Sequence, residues 1–139
     1  MAVIDTAMRT LHLIFGALWA GSVVLFVFGV LPSISSADRL AAIAGREVQL
    51  SRLSVVVTFL SGGHLAGTYY TVGSLFGSTR GYLVLFMLLL WVVLAALVEI
   101  GTSRLRDGNV AAGTTLYRAG GVAAVLLLLV GGLLASGVA

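Results

Sequence analysis

The chain has 139 residues, of which 60 % are hydrophobic and only 9 % charged, and its mean hydropathy is +1.14. Soluble domains carry about one quarter charged residues, so this composition excludes an ordinary soluble domain and indicates an integral membrane protein. A net charge of +3 and a pI near 10.0 do not imply nucleic acid, because the eight basic residues are all arginines scattered over the ends of apolar runs.

Four apolar runs reach the length of about 20 residues that a hydrocarbon core requires: Leu11 to Leu31, Leu53 to Gly73, Gly81 to Ile100 and Ala119 to Val138. They predict an all-α, up-down bundle of four transmembrane helices forming a single domain over 1–139, with spans near 5–31, 52–75, 81–103 and 116–138. Residues 36–51 read as an amphipathic cytoplasmic segment, either separate or continuous with the second span. Arg39, Arg46, Arg52, Arg104, Arg106 and Arg118 fall on one side and Arg9 and Arg80 on the other, so the positive-inside rule places both termini outside. The expected location is the plasma membrane of a prokaryote, as a multi-pass protein. Residues 1–9 lack the basic start of a secretory signal, so the first span reads as retained. The chain has no cysteine and no lysine, which removes disulfides, thiolate sites and lysine Schiff bases from consideration.

In the first span Asp5 and Arg9 support a first helical turn, and Met8, His12, Gly16, Trp19 and Ser22 recur at helical spacing on one face. Pro32 and Ser33 close that span, and Ser36 or Asp38 caps the segment that follows. The second span holds SGGHLAGTYYT from Ser61 to Thr71, with Ser61, His64, Thr68 and Thr71 on one face and Gly63 and Gly67 as a GxxxG pair that permits close approach of a neighbour. A short loop over 76–80 makes spans two and three antiparallel neighbours. Glu99, near the inner end of span three, reads as a structural ion-pair partner for Arg52 or Arg118. Gly120, Gly121, Ala124, Gly131 and Gly132 mark span four for close packing, inside the bundle or between protomers.

The chemical inventory is narrow: two histidines, three methionines and five acids. No GxSxG motif occurs and no acid lies near enough in sequence to orient either histidine, so nucleophilic hydrolase arrangements are unsupported, no catalytic residues are assigned, and whether the chain is an enzyme stays open. Intramembrane ionisable residues are rare and usually functional, and imidazole ligates both metals and haem iron. His12 and His64, on adjacent helices with Gly16, Gly63, Gly67 and Thr68 nearby, therefore predict a haem b held between spans one and two. Arg9, with Arg80 and Tyr69 or Tyr70, would meet the propionates. Counting from the outer ends puts the two histidines within about 3 Å of one depth, whereas counting from the inner ends separates them by about 10 Å. Copper is the competing metal, with Met8 and Met87 as thioether ligands beside His12. A non-catalytic structural or accessory subunit, forming a homo-oligomer or joining a larger membrane complex, is the third reading, and none of the three involves nucleic acid.

The stretch LHLIFGALWAGSVVLF from Leu11 to Phe26, followed by Pro32, resembles the first helix of the copper-resistance protein D superfamily. The shared pattern is the Leu11–His12 pair followed by Trp19 and Gly21. That superfamily is in turn similar to the haem-containing protoporphyrinogen oxidases of the HemJ type, in which a first-helix histidine is implicated in haem binding. The resemblance implies copper movement or a haem b site, with His12 as the metal-linked position. HemJ-type enzymes also use a lysine in a later helix, a residue type this chain lacks.

Overall fold

The computed structural model describes residues 2–137. Four long helices dominate. α1 (Ala2–Leu25) runs through a π turn at Phe26–Val30 into the single turn α2 (Leu31–Ser33). The π turn has a local cause: Pro32 has no amide hydrogen for the carbonyl of Phe28, and its ring crowds that oxygen. The helix adapts by widening, so that Leu31 N–H donates to the carbonyl of Phe26, five residues back.

After an extended break at Ile34, Ser36 accepts the amide of Arg39 and starts α3 (Ala37–Tyr69). In this single 33-residue helix the amphipathic segment 36–51 and the stretch expected to be the second span are one rod. It ends at Tyr69, not near residue 75, because Thr71 and Ser74 form a reciprocal capping box that begins the short α4 (Val72–Gly77). Ser78 then caps α5 (Thr79–Arg106). Gly81 is required at that junction, since a Cβ there would collide with the carbonyl oxygens of Ser74 and Leu75. Gly108, at φ 78°, makes the turn to α6 (Val110–Ser136), which Asn109 caps. α6 thus begins at Val110 rather than near 116, and Val138, the expected end of the last run, lies outside the described residues.

The helices pack in a ring, α1 on α3, α3 on α5, α5 on α6 and α6 on α1. Contacts at two levels fix the directions: Ser22 meets Glu47 and His12 meets Thr58, Arg52 meets Glu99 and Thr58 meets Trp91, and a Cβ on Gly120 or Gly113 would touch Leu94 or Leu105, so each helix runs antiparallel to the next. Phe26 stacks on Tyr117 with ring centroids 4.2 Å apart, and Trp19, Val23, Leu94, Val98 and Leu105 fill the interior around them. Among the described residues three rods are long and apolar enough to cross a membrane: Ala2–Ser33, Thr79–Arg106 and Val110–Ser136. α3 is not one of them, because its polar and charged residues lower its apolar content.

Candidate functional site

Glu47, Ser51, Ser54, Thr58 and Ser61 are all buried, at most 9 % exposed. Their spacing of four, three, four and three residues is that of a coiled-coil seam, here filled by one acid and four hydroxyls where leucine would be ordinary. The outward face of the same stretch carries Leu53, Val56, Phe59 and Leu60, all more than half exposed. Over residues 47–61 α3 thus turns its hydroxyls inward, while apart from Arg52 its outward face is mainly apolar, the reverse of a helix on a water-soluble bundle.

His12 of α1 lies against this seam. Its Nδ1 is 3.1 Å from the carbonyl oxygen of Thr58 and 3.2 Å from Ser61 Oγ. A carbonyl can only accept, so Nδ1 carries the hydrogen and Nε2 keeps its lone pair. The ring fits because residue 62 is glycine: a Cβ there would stand 2.8 Å from His12 Cε1. Thr58 in turn accepts the indole N–H of Trp91 at 3.0 Å and donates to the carbonyl of Ser54 at 2.6 Å. Trp91 sits near the middle of α5, so His12 lies level with the centre of the bundle and not at its outer rim.

His64 is one helical turn farther out, about 5 Å along α3, between the two depth counts made from the sequence. Its Nε2 donates to Asp5 Oδ1 at 2.8 Å, both side chains being partly buried. No acid near His64 in sequence announced this; the partner lies 59 positions away and arrives through the antiparallel packing of α1 on α3. At the same end of the seam the guanidinium of Arg9 lies 5.5 Å from the ring centre of Tyr69.

The other expected site residues are placed as follows. Arg52 donates to both carboxylate oxygens of Glu99, at 2.6 and 3.0 Å, and Arg118 does not join them. Gly16, Gly63 and Gly67 have open space where a Cβ would stand, so the close approach expected of the GxxxG pair is made instead by Gly62. Thr68 is exposed and bonds back to the carbonyl of His64. Met87 turns its methyl toward Gly131 of α6, away from the α1–α3 seam, while Met8 remains on the outer part of α1. Arg80 donates to the carbonyl of Leu134, tying the start of α5 to the end of α6. In α6, Gly120 and Gly121 do admit neighbours, Leu94 and Val23 to the first and Val27 to the second.

Between α1 and α3 the His12 ring rests against α3 at Gly62, and the Nε2 of His64 is engaged by Asp5. Among the described residues no three His, Asp or Glu side chains gather as a metal site. What the arrangement does hold is a file of polar groups about 21 Å long at 1.5 Å per residue, with titratable side chains along it. Among the described residues two buried atoms, Ser54 Oγ in the file and Trp19 Nε1 of α1, have no hydrogen-bond partner. Such atoms usually mark places where an internal water is bound. No family model, curated protein or solved structure matches the chain.

Proposed function

We propose that the chain crosses a prokaryotic plasma membrane four times, with α3 as the least apolar span, and that its α1–α3 seam conducts protons. The carrying observation is the buried polar file of α3, running from Glu47 to the two histidines. Four apolar side chains on the outward face of α3 support its contact with lipid, and its polar face is shielded by α1 and α5. Chains of Asp, Glu and His inside a membrane bundle are the usual construction of proton relays. The ionisable groups here are few and separated by hydroxyls, which suits the smallest cargo. Neutral His12 can take a proton on Nε2 and release the one on Nδ1 toward Ser61, while Asp5 holds His64 at the outer end. Water bound at Ser54 and Trp19 would bridge the stretch between Glu47 and Thr58. The arginine distribution puts the Glu47 end on the cytoplasmic side.

The test is flux. Protein reconstituted in liposomes under a potassium diffusion potential should acidify or alkalinise the lumen, read by a trapped pH dye, and the His12→Ala and His64→Ala variants should fall toward the rate of protein-free vesicles. Native protein no faster than protein-free vesicles would sink the reading. The haem reading is decided by the visible spectrum of the same preparation: a Soret band lost in both histidine variants would replace proton conduction with haem binding and require α1 and α3 to part.

A further inference from the structure

The acid at the inner end of the seam has an unusual setting. Glu47 is 9 % exposed, and its hydrogen-bond partner is Ser22 Oγ at 2.9 Å. Among the described residues no arginine forms an ion pair with it. The groups facing this part of the bundle are Arg46 at the rim of the adjacent cavity, Arg106 of α5 packed over Gly45, and Tyr117 of α6, whose hydroxyl is engaged by Thr102. Glu99 is already held by Arg52. α1 contributes no charge here, only Ser22 and the buried ring of Trp19.

An ionised Glu47 would be a buried carboxylate with one neutral donor and no ion-pair partner among the described residues, an arrangement that carries a large desolvation cost. The acid form has no such deficit. Its O–H donates to Ser22 Oγ, and the single hydroxyl hydrogen of Ser22 then donates to the carbonyl of Trp19, 2.8 Å away. Beside the carboxyl lies a cavity of about 250 Å³, lined by Ser22, Leu25, Phe26, Arg46, Glu47 and Leu50 among others and bounded by the π turn. That volume holds several waters at roughly 30 Å³ each, and it leads from Glu47 toward the exposed Arg46.

We propose that Glu47 is the inner proton-binding site of the seam, a carboxylic acid at neutral pH that exchanges its proton with the cytoplasmic side through the cavity beside the π turn. In the exchange the O–H bond of the acid breaks, a water in the cavity takes the proton, and the carboxylate left behind accepts the hydroxyl hydrogen of Ser22. The location on a conduction path rests on the proposed function; the protonation state does not.

The chain has only two glutamates, which makes the test direct. With carboxyl-¹³C glutamate in the native protein in lipid bilayers, solid-state NMR at neutral pH should show one ionised signal, lost in Glu99→Gln, and one protonated signal, lost in Glu47→Gln. Two ionised signals would overturn the proposal. In D2O the infrared band of the acid should shift promptly, and Leu25→Trp, which fills the cavity mouth, should slow that shift; a band that never shifts in the native protein also overturns it. Glu47→Gln keeps a neutral hydrogen-bonding side chain and should fold, yet should lose flux. If the native protein conducts and Glu47→Gln conducts equally, Glu47 is off the path and the proposal fails while the proton reading stands. If the native protein does not conduct but Glu47 is protonated and exchanges, the proton reading fails and the buried acid remains.

Discussion

The α5–α6 and α1–α3 interfaces share one geometry and differ in chemistry. In the first, Leu94, Val98, Gly101 and Leu105 of α5 face Gly113, Tyr117, Gly120 and Ala124 of α6, all of them buried. In the second, the same alternation of three and four residues on α3 carries Glu47, Ser51, Ser54, Thr58 and Ser61. Helices in lipid associate through close packing of small and apolar side chains, and a buried hydroxyl adds little, on average about 0.6 kcal/mol. The α5–α6 interface shows what suffices to hold this bundle together. The polar file of α3 goes beyond that need, which is the physical reason for assigning it a function.

The largest effect should come from breaking the apolar interface. Leu94 is fully buried, and Leu94→Ala removes its packing on Gly120. We expect a loss of about 2–5 kcal/mol, measured by denaturant unfolding in mixed micelles, with flux per folded molecule unchanged. Equal loss of flux and of folded protein would keep the two interfaces distinct; loss of flux alone would erase the distinction.

An intermediate effect is expected at Gly62. In Gly62→Ala the new methyl would meet His12 Cε1 at 2.8 Å and push the ring off Thr58 and Ser61. Overpacking of this kind costs about 1–3 kcal/mol. The sharper readout is the ¹⁵N spectrum of His12, whose Nδ1–H tautomer should no longer be fixed. A native-like His12 spectrum in Gly62→Ala would show that the glycine does not set the ring.

The comparison also explains what could be read from the amino-acid order. Three of the four long helices are legible from hydropathy because their apolar runs are barely interrupted, and Arg52 and Glu99 are legible as partners because both sit at the inner ends of adjacent runs. The polar stretch of α3 was harder to see. Ser51, Ser54 and Thr58 are small and common in membrane helices, and attention goes to the glycines and histidine of 61–71. Yet their three-four spacing in line with Glu47 was visible and would have identified the buried face. Glu47 itself was hidden by its neighbourhood: beside Arg39 and Arg46 it resembles one more charge on a solvated surface, and only the packing of α1 over it turns it inward. The pairing of Asp5 with His64, and the choice of Gly62 over Gly63 and Gly67, depend on the register between two helices, which periodicity within one helix does not determine.

The smallest effect on the fold should be the most telling for function. Ser54 is wholly buried, and its hydroxyl has no hydrogen-bond partner among the described residues. If the hydroxyl serves only the fold, it is a liability there, because an unsatisfied buried polar atom carries its desolvation cost without return. Ser54→Ala should then leave stability within about 0.5 kcal/mol of the native value or raise it. Under the proton reading the same oxygen holds a water between Glu47 and Thr58, so this nearly silent substitution should slow flux while His12 and Glu47 keep their native spectra. A Ser54→Ala protein that conducts as well as the native chain would show that the path does not pass through the middle of α3, and the polar file would reduce to small residues chosen for close helix contact.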